Sequence, residues 1–277
     1  MSEPITSAER KRQVQANFDS IAAHYDALGF VQVCAARLLA RANMAPGTRV
    51  LDLATGTGLV AAAAAQLVGP SGAVVGLDLA PEMLAQARHK LVAAGLANVT
   101  FQVGDMEQLP FPDQSFDLVL CASSLFFVPD MAAALRQAWR VLVPGGRLGF
   151  TSFGASLMHP LAALWANRLR QHGVTPPVPP TLRLADPQLC AQLLREAGFV
   201  DVAVESEQLG YFLPTTAARW VELTASLEGL PLARMTPEQR AQIEAEHLAE
   251  LEALVTAQGI WVDVPANLAF GQRPSQG

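Results

Sequence analysis

The stretch Val50-Leu51-Asp52-Leu53-Ala54-Thr55-Gly56-Thr57-Gly58 decides the fold of this chain of 277 residues. An apolar strand brings a carboxylate to its end and turns at once into a loop with two glycines. Gly56 and Gly58 let the backbone turn tightly and approach a ligand, and residues 61–67 are typical of the helix that follows. The stretch therefore predicts a cofactor site, although Gly-x-Gly-x-x-Ala alone also fits dinucleotide binding.

Asp52 separates the cofactors that such a loop can bind. It precedes the first glycine, where its charge would repel a pyrophosphate, whereas a carboxylate suits a cationic ligand. S-adenosylmethionine carries a sulfonium and an ammonium group and has no phosphate. An acidic strand end beside open backbone therefore favours S-adenosylmethionine over a nicotinamide dinucleotide.

Two further apolar runs also end in acidic residues. Residues 73–77 lead into Asp78, about twenty residues after the glycine loop, where a carboxylate can accept from both ribose hydroxyls. Residues 99–103 are followed by Asp105, which we expect to accept from an adenine amino group while Met106 lies on the ring. One acidic residue at a strand end is explained equally well by exposure to solvent and by a binding site. Three in succession predict a site.

Four segments, in this order and at these distances, form a specific signature. They are residues 17–26 (NFDSIAAHYD), 52–58 (DLATGTG), 109–117 (LPFPDQSFD) and 142–148 (LVPGGRL). Together they resemble the class I S-adenosylmethionine-dependent methyltransferases, and more closely the branch that includes the ubiquinone/menaquinone-biosynthesis C-methyltransferases. The resemblance spans residues 18–150 and fades after them.

This resemblance implies an α/β, Rossmann-like fold with a mostly parallel seven-stranded sheet. The alternation of strands and helical stretches agrees, because it predicts helices on both faces of a parallel sheet. The resemblance and the strand ends together give the predicted cofactor-binding residues: Tyr25, Asp52, Ala54, Thr55, Gly56, Thr57, Gly58, Asp78, Leu79, Met83, Gly104, Asp105, Met106, Ala122 and Ser123.

Composition excludes several other classes. The formal net charge of −6 and the pI of about 5.4 give no positive electrostatic field that would attract the phosphates of a nucleic acid. No apolar run is long enough for a membrane span, and residues 1–4 lack the start of a signal peptide, so we expect a cytoplasmic protein. The three cysteines and five histidines show no ligand spacing, so no metal is expected. The expected partner is a small-molecule substrate, and a homodimer is left open.

We divide the chain into four parts. Residues 1–45 are predicted to form an N-terminal helical cap, and residues 46–209 the cofactor-binding core. Residues 210–259 are predicted to be a helical lid inserted above the sheet, and residues 260–277 to contain the last strand of the core and a tail, with that strand over residues 261–269. A capping-box pattern at residues 236–239 marks one helix of the lid.

The lid region and its neighbourhood favour an apolar acceptor. Trp165, Tyr211, Phe212 and Trp220 supply apolar area with few charges, which suits an aromatic or isoprenoid compound. The predicted function is methyl transfer from S-adenosylmethionine to a small acceptor, by C- or O-methylation. Two alternatives stay open. One is a protein of this fold that binds the cofactor but binds or cyclises its substrate without methyl transfer, and the other is a nicotinamide-dependent oxidoreductase.

A general base is the least defined part of the predicted mechanism. Relatives often carry a histidine near Phe127, which this chain lacks. His159 follows the fifth predicted strand on the cofactor side of the sheet, and histidine titrates near neutrality, so His159 is the first candidate. Tyr25 is the second predicted catalytic residue. An ordinary loop position for His159 is the competing interpretation.

Overall fold

A computed structural model describes residues 6–176 and 178–275 of the chain. Seven strands form one sheet in the order β3-β2-β1-β4-β5-β9-β6, in which β9 alone runs antiparallel to its neighbours β5 and β6. Its strands are β1 (Arg49–Leu53), β2 (Ala73–Asp78), β3 (Val99–Val103), β4 (Phe116–Cys121), β5 (Leu142–Phe153), β6 (Val200–Gln208) and β9 (Pro265–Gln272). The predicted mostly parallel seven-stranded sheet is confirmed.

Helices cover both faces of this sheet. They are α1 (Ser7–Ile21), α2 (Gly29–Arg41), α3 (Leu59–Val68), α4 (Pro81–Ala94), α5 (Met131–Val141), α6 (Leu161–Gln171), α7 (Pro187–Glu196), α8 (Thr216–Ala225) and α9 (Pro237–Leu251). Alternation along β1 explains the two layers, since Leu51 packs with residues of α5 and α7 while Val50 packs with α2 and α3.

Helix starts follow their local sequence. Thr236 and Gln239 form the predicted capping box of α9, and the Asp130 side chain caps α5 by accepting from Ala133 N at 2.8 Å. Helix α4 begins with Pro81 at its first turn and has no side-chain cap, because Ala80 occupies the cap position. This start places α4 directly behind the end of β2.

Two sequence-based boundaries need correction. The N-terminal helical segment is not continuous, because a 3₁₀ turn (Tyr25–Ala27) separates α1 from α2. The predicted last strand over residues 261–269 starts too early. Trp261 belongs to β8 (Ile260–Val262), which pairs with β7 (Tyr211–Leu213) in a separate two-stranded sheet, and the last strand of the main sheet is β9.

Two findings bear on the composition argument. Within residues 6–176 and 178–275, no helix combines the length and apolar character needed to cross a membrane. The same part of the chain holds no group of three His, Cys, Asp or Glu side chains placed to share a metal ion. Cys34, Cys121 and Cys190 are all buried as free thiols. The expectation about a signal peptide at residues 1–4 falls outside the described residues.

Candidate active site

A cavity lies where β1, β2 and β3 end, beneath α1. The ends of β1, β2 and β3 and the loops after them supply Ala54, Gly56, Leu77, Asp78, Leu79, Gly104, Asp105 and Met106, and α4 supplies Met83. Helix α1 and the turn after it supply Lys11, Val14, Phe18 and Tyr25, and the segment after β4 supplies Ser124, Phe127, Val128 and Pro129. Nine of the fifteen predicted cofactor-binding residues therefore line one cavity: Tyr25, Ala54, Gly56, Asp78, Leu79, Met83, Gly104, Asp105 and Met106. The carboxyl ends of parallel strands are where ligands bind in such sheets.

Asp78 is the acidic group best placed to bind a ligand. Its Oδ2 accepts from Gly56 N at 2.7 Å and its Oδ1 from Ala80 N at 2.8 Å, so the carboxylate fixes the glycine loop to the end of β2. Burial raises the pKa of Asp78, although the backbone N–H groups oppose the shift. A carboxylate has about four acceptor positions. Two remain for a vicinal diol, which fits a ribose.

Asp52 lies beneath the loop and is absent from the cavity wall. It is 1% exposed, and its Oδ2 accepts from Thr55 Oγ1 at 2.5 Å. Burial raises the pKa of Asp52 to about 7, with the nearby Asp78 charge adding to the shift. Among the described residues no group binds its Oδ1. Direct contact between Asp52 and a cationic ligand, as the sequence suggested, therefore has no support in this geometry.

Four other predicted residues support the site from outside the cavity wall. Thr55 anchors Asp52, and Thr57 Oγ1 donates to Asp26 Oδ1 at 2.5 Å, which joins the glycine loop to the 3₁₀ turn above it. Gly58 has φ +78°, and a Cβ there would lie 2.9 Å from the Phe101 ring. The last of the four, Ala122, packs against the layer of α2 and α3. Thr55, Thr57 and Gly58 therefore shape the loop, and Ala122 does not touch the cavity.

The contact that α1 makes with Asp105 was not predicted from the sequence. Lys11 Nζ lies 2.6 Å from Asp105 Oδ2 and also pairs with Glu107, with 20% of the Lys11 side chain exposed. Asp105 therefore has a cationic partner where an adenine amino group was expected. The two are compatible, because a carboxylate accepts several donors. Helix α1 thus covers the adenine end of the predicted site.

Tyr25 lines this cavity and also the one beside it. Burial raises the pKa of the Tyr25 phenol well above its ordinary value, and the charges of Asp78 and Asp26 raise it further. The hydroxyl therefore stays protonated near neutrality. A catalytic role for Tyr25 stays a prediction, and a neutral phenol at this position can orient a ligand by donating or accepting a hydrogen bond.

A second cavity, of about 250 Å³, adjoins the first and is strongly apolar. Its walls include Phe30, Phe126, Phe153, Met158, Trp165 and Leu169, and it shares Phe18, Tyr25 and Phe127 with the first cavity. Ser123, predicted to contact the cofactor, lines this cavity instead. Among the described residues of its wall, only Tyr25 and Glu228 carry titratable side chains. Such a wall selects an apolar ligand.

His159 does not line either cavity. It is exposed, whereas the preceding residue Met158 is buried and lines the apolar cavity. The prediction of His159 as the base therefore loses its structural basis, since a base must reach the proton that it removes. Sequence position after β5 was not enough to decide which of the two neighbours faces the cavity.

The four aromatic residues expected around the acceptor divide in a similar way. Trp165 lines the apolar cavity, whereas Trp220 packs edge-on against Trp165 at 5.9 Å between ring centroids, behind the wall. The Tyr211 hydroxyl donates a hydrogen bond to Glu222. Phe212 packs against Trp261 and is 40% exposed. Only Trp165 of these four contributes to the wall of the apolar cavity.

Comparisons with known proteins agree with this architecture. A family model described as a methyltransferase domain matches residues 50–146. Nocamycin O-methyltransferase from Saccharothrix syringae is 33% identical over 281 residues, which cover 94% of this chain and 99% of that protein. The ubiquinone/menaquinone biosynthesis C-methyltransferase UbiE from Pasteurella multocida is 36% identical over 168 residues, 58% of this chain and 63% of that protein. This chain therefore matches less than two thirds of UbiE.

Among solved structures, phosphoethanolamine N-methyltransferase 2 from Haemonchus contortus, in complex with phosphomonomethylethanolamine and S-adenosylhomocysteine, has a TM-score of 0.60 and 21% identity. The match covers 99% of this chain and 61% of that one. At this identity the likeness concerns the fold alone.

Proposed function

Because the chain belongs to the class I S-adenosylmethionine-dependent methyltransferases, we propose that it transfers a methyl group from S-adenosylmethionine to a small, largely apolar acceptor, by C- or O-methylation. One observation carries the proposal: a cavity with acidic residues and an apolar cavity adjoin, with Phe18, Tyr25 and Phe127 common to both. A cofactor in the first and an acceptor in the second would meet at these three residues.

The residues present fit the cofactor. Asp78 would accept from the ribose hydroxyls, and Asp105 with Met106 would bind the adenine, while the loop around Gly56 would lie against the amino-acid end. When bound, S-adenosylmethionine supplies a methyl group that its sulfonium has already activated. The protein then has to orient the acceptor and exclude water. The buried Asp52 sustains the shape of the loop through its hydrogen bond with Thr55.

The apolar wall supports an aromatic or isoprenoid acceptor over a charged one. Phe126, Phe127 and Phe153 form a cluster with centroid distances of 4.8 and 5.9 Å, and a charged group placed against such rings loses its hydration without a partner. We further propose that residues 210–259 act as the lid of this cavity, because the 3₁₀ helix Leu227–Arg234 contributes Leu227 and Glu228 to its wall.

The test is a transfer assay with purified protein, methyl-labelled S-adenosylmethionine and a panel of hydroxylated aromatic and isoprenoid-quinone compounds. The expected result is label in an organic product together with S-adenosylhomocysteine. Calorimetry with S-adenosylhomocysteine and NAD accompanies it, and saturable binding of NAD alone would favour the oxidoreductase. Binding of S-adenosylmethionine with an altered but unlabelled acceptor would instead favour substrate cyclisation without methyl transfer.

Two finer expectations belong with this proposal. A cytoplasmic location and a homodimer remain predictions. Cell fractionation tests the first, and light scattering coupled to size exclusion tests the second.

A further inference from the structure

Glu228 is the one carboxylate among the described residues of the apolar cavity wall. It lies at the start of the 3₁₀ helix Leu227–Arg234, beside Leu227, which packs with Phe18 and Tyr25. A charged group in an otherwise apolar wall is costly, and it needs a reason beyond packing. The position of Glu228 suggests recognition of a polar group on the acceptor.

The carboxylate of Glu228 is held from behind by a buried arginine. Arg219 Nη2 donates to Glu228 Oε2 at 2.7 Å, and the Arg219 side chain is 1% exposed. The Glu228 backbone is fixed as well, because its carbonyl accepts from Trp165 Nε1 at 3.0 Å. Arg219 is not part of the cavity wall. It therefore acts on any ligand only through Glu228, as a positioning residue.

The surroundings of Arg219 satisfy only part of its hydrogen-bonding capacity. Among the described residues, Arg219 Nε and Nη1 have no hydrogen-bond partner, and neither do the two ring nitrogens of the fully buried His247 nearby. Burial and the Arg219 charge lower the pKa of His247 to about 4. This histidine is therefore neutral near pH 7 and adds no charge beside Arg219. Replacing a buried ion pair by apolar residues is often neutral or stabilising. A large contribution to stability is therefore not expected of this pair.

One oxygen of Glu228 is left for a ligand. Oε2 is bound to Arg219, whereas among the described residues no donor reaches Oε1, and 23% of the side chain is exposed. We propose that Glu228, positioned by Arg219, binds a hydroxyl group of the acceptor and thereby selects hydroxylated aromatic compounds over plain hydrocarbons. This inference rests on the proposed function, because it assigns the apolar cavity to the acceptor.

The experiment compares 2-naphthol with naphthalene by calorimetry at pH 7, using the full chain saturated with S-adenosylhomocysteine. Both probes fit an apolar cavity and differ by one hydroxyl group. A hydrogen bond to a charged acceptor predicts about tenfold or stronger binding of 2-naphthol by the wild type. In Glu228→Gln the preference should fall to about threefold or less, with the affinity for S-adenosylhomocysteine unchanged.

Two further variants keep the result interpretable. Glu238→Gln makes the same change at an exposed position of α9, which also lies within residues 210–259. This variant should keep the full preference for 2-naphthol. Glu228→Gln leaves Arg219 without an anionic partner, although the amide oxygen can still accept from it. The double variant Arg219→Met/Glu228→Gln removes both charges and should fold while losing the preference. A preference of wild-type size in either Glu228 variant, or none in the wild type, overturns the role of Glu228. Failure of the wild type to bind S-adenosylhomocysteine counts against the proposed function instead.

Discussion

Asp78→Asn is the sharpest test of the cofactor site, because this carboxylate has two tasks. It faces the cavity, and it also accepts from Gly56 N and Ala80 N. Asparagine keeps the size of the side chain but replaces one acceptor oxygen by an NH₂ donor and removes the charge. One of the two backbone contacts and at least one ribose contact should therefore be lost.

The magnitude follows from the contacts removed. A hydrogen bond to a charged group contributes about 1.5 to 3 kcal/mol, so the loss of one such bond to ribose should weaken S-adenosylhomocysteine binding about 10- to 150-fold. The effect on folding should be smaller. Burial raises the pKa of Asp78, so the ionised side chain already bears a desolvation cost in the folded protein, and removing the charge offsets the lost backbone contact.

Calorimetry with S-adenosylhomocysteine measures the affinity, and thermal unfolding reports on the fold. Asp186→Asn is the matched control, because Asp186 caps α7 on the exposed surface by accepting from Gln188 N at 2.8 Å, a contact that asparagine can also make. The Asp186→Asn protein should bind S-adenosylhomocysteine with the same dissociation constant as the wild type. An Asp78→Asn protein that unfolds normally and binds within about twofold of the wild type would refute the assignment of the ribose to Asp78.

Two further predictions concern the cap and the loop. Lys11→Gln removes the partly buried ion pairs with Asp105 and Glu107, which together contribute about 1 kcal/mol. S-adenosylhomocysteine should therefore dissociate about fivefold faster in stopped-flow experiments. An unchanged rate contradicts a role for Lys11 in holding α1 over the site. Burial raises the pKa of Asp52 to about 7, so the folded chain retains a proton that the unfolded chain loses near the ordinary value of 3.8. The free energy of unfolding should therefore fall as pH rises between these values, and Asp52→Asn should lack this component in urea titrations; parallel pH dependences in the two proteins would disprove the effect.

The strand ends were predictable because the relevant information is local. An apolar run that closes in an acidic residue identifies β2 with Asp78, and parallel topology then places that residue beside the glycine loop. The same reasoning misjudged Asp52. Side chains alternate along a strand, so Asp52 shares a face with Val50, which packs on α2 and α3, and only the loop beyond Leu53 reaches the cavity.

Long-range partners were not predictable. Lys11 precedes Asp105 by 94 residues, and a single lysine in a polar helix gives no sign of such a contact. Glu228 lies in a short 3₁₀ helix, and nothing in the local sequence distinguishes it from the other acidic residues of residues 210–259. The same limit applied to His159, since a loop that follows a strand does not reveal which of its side chains points inward.

The two cavities share a wall to which α1 contributes. Helix α1 contributes Lys11 to the first cavity and Phe18 to both, and the Phe18 ring packs edge-on against Phe127 at 5.0 Å and near Tyr25 at 6.2 Å. Each such aromatic pair contributes about 0.5 to 1.5 kcal/mol beyond its area burial. A movement of α1 away from the first cavity would therefore also separate these rings at the wall of the second. Under the proposed function, we expect exchange of the cofactor and exchange of the acceptor to be linked through this helix.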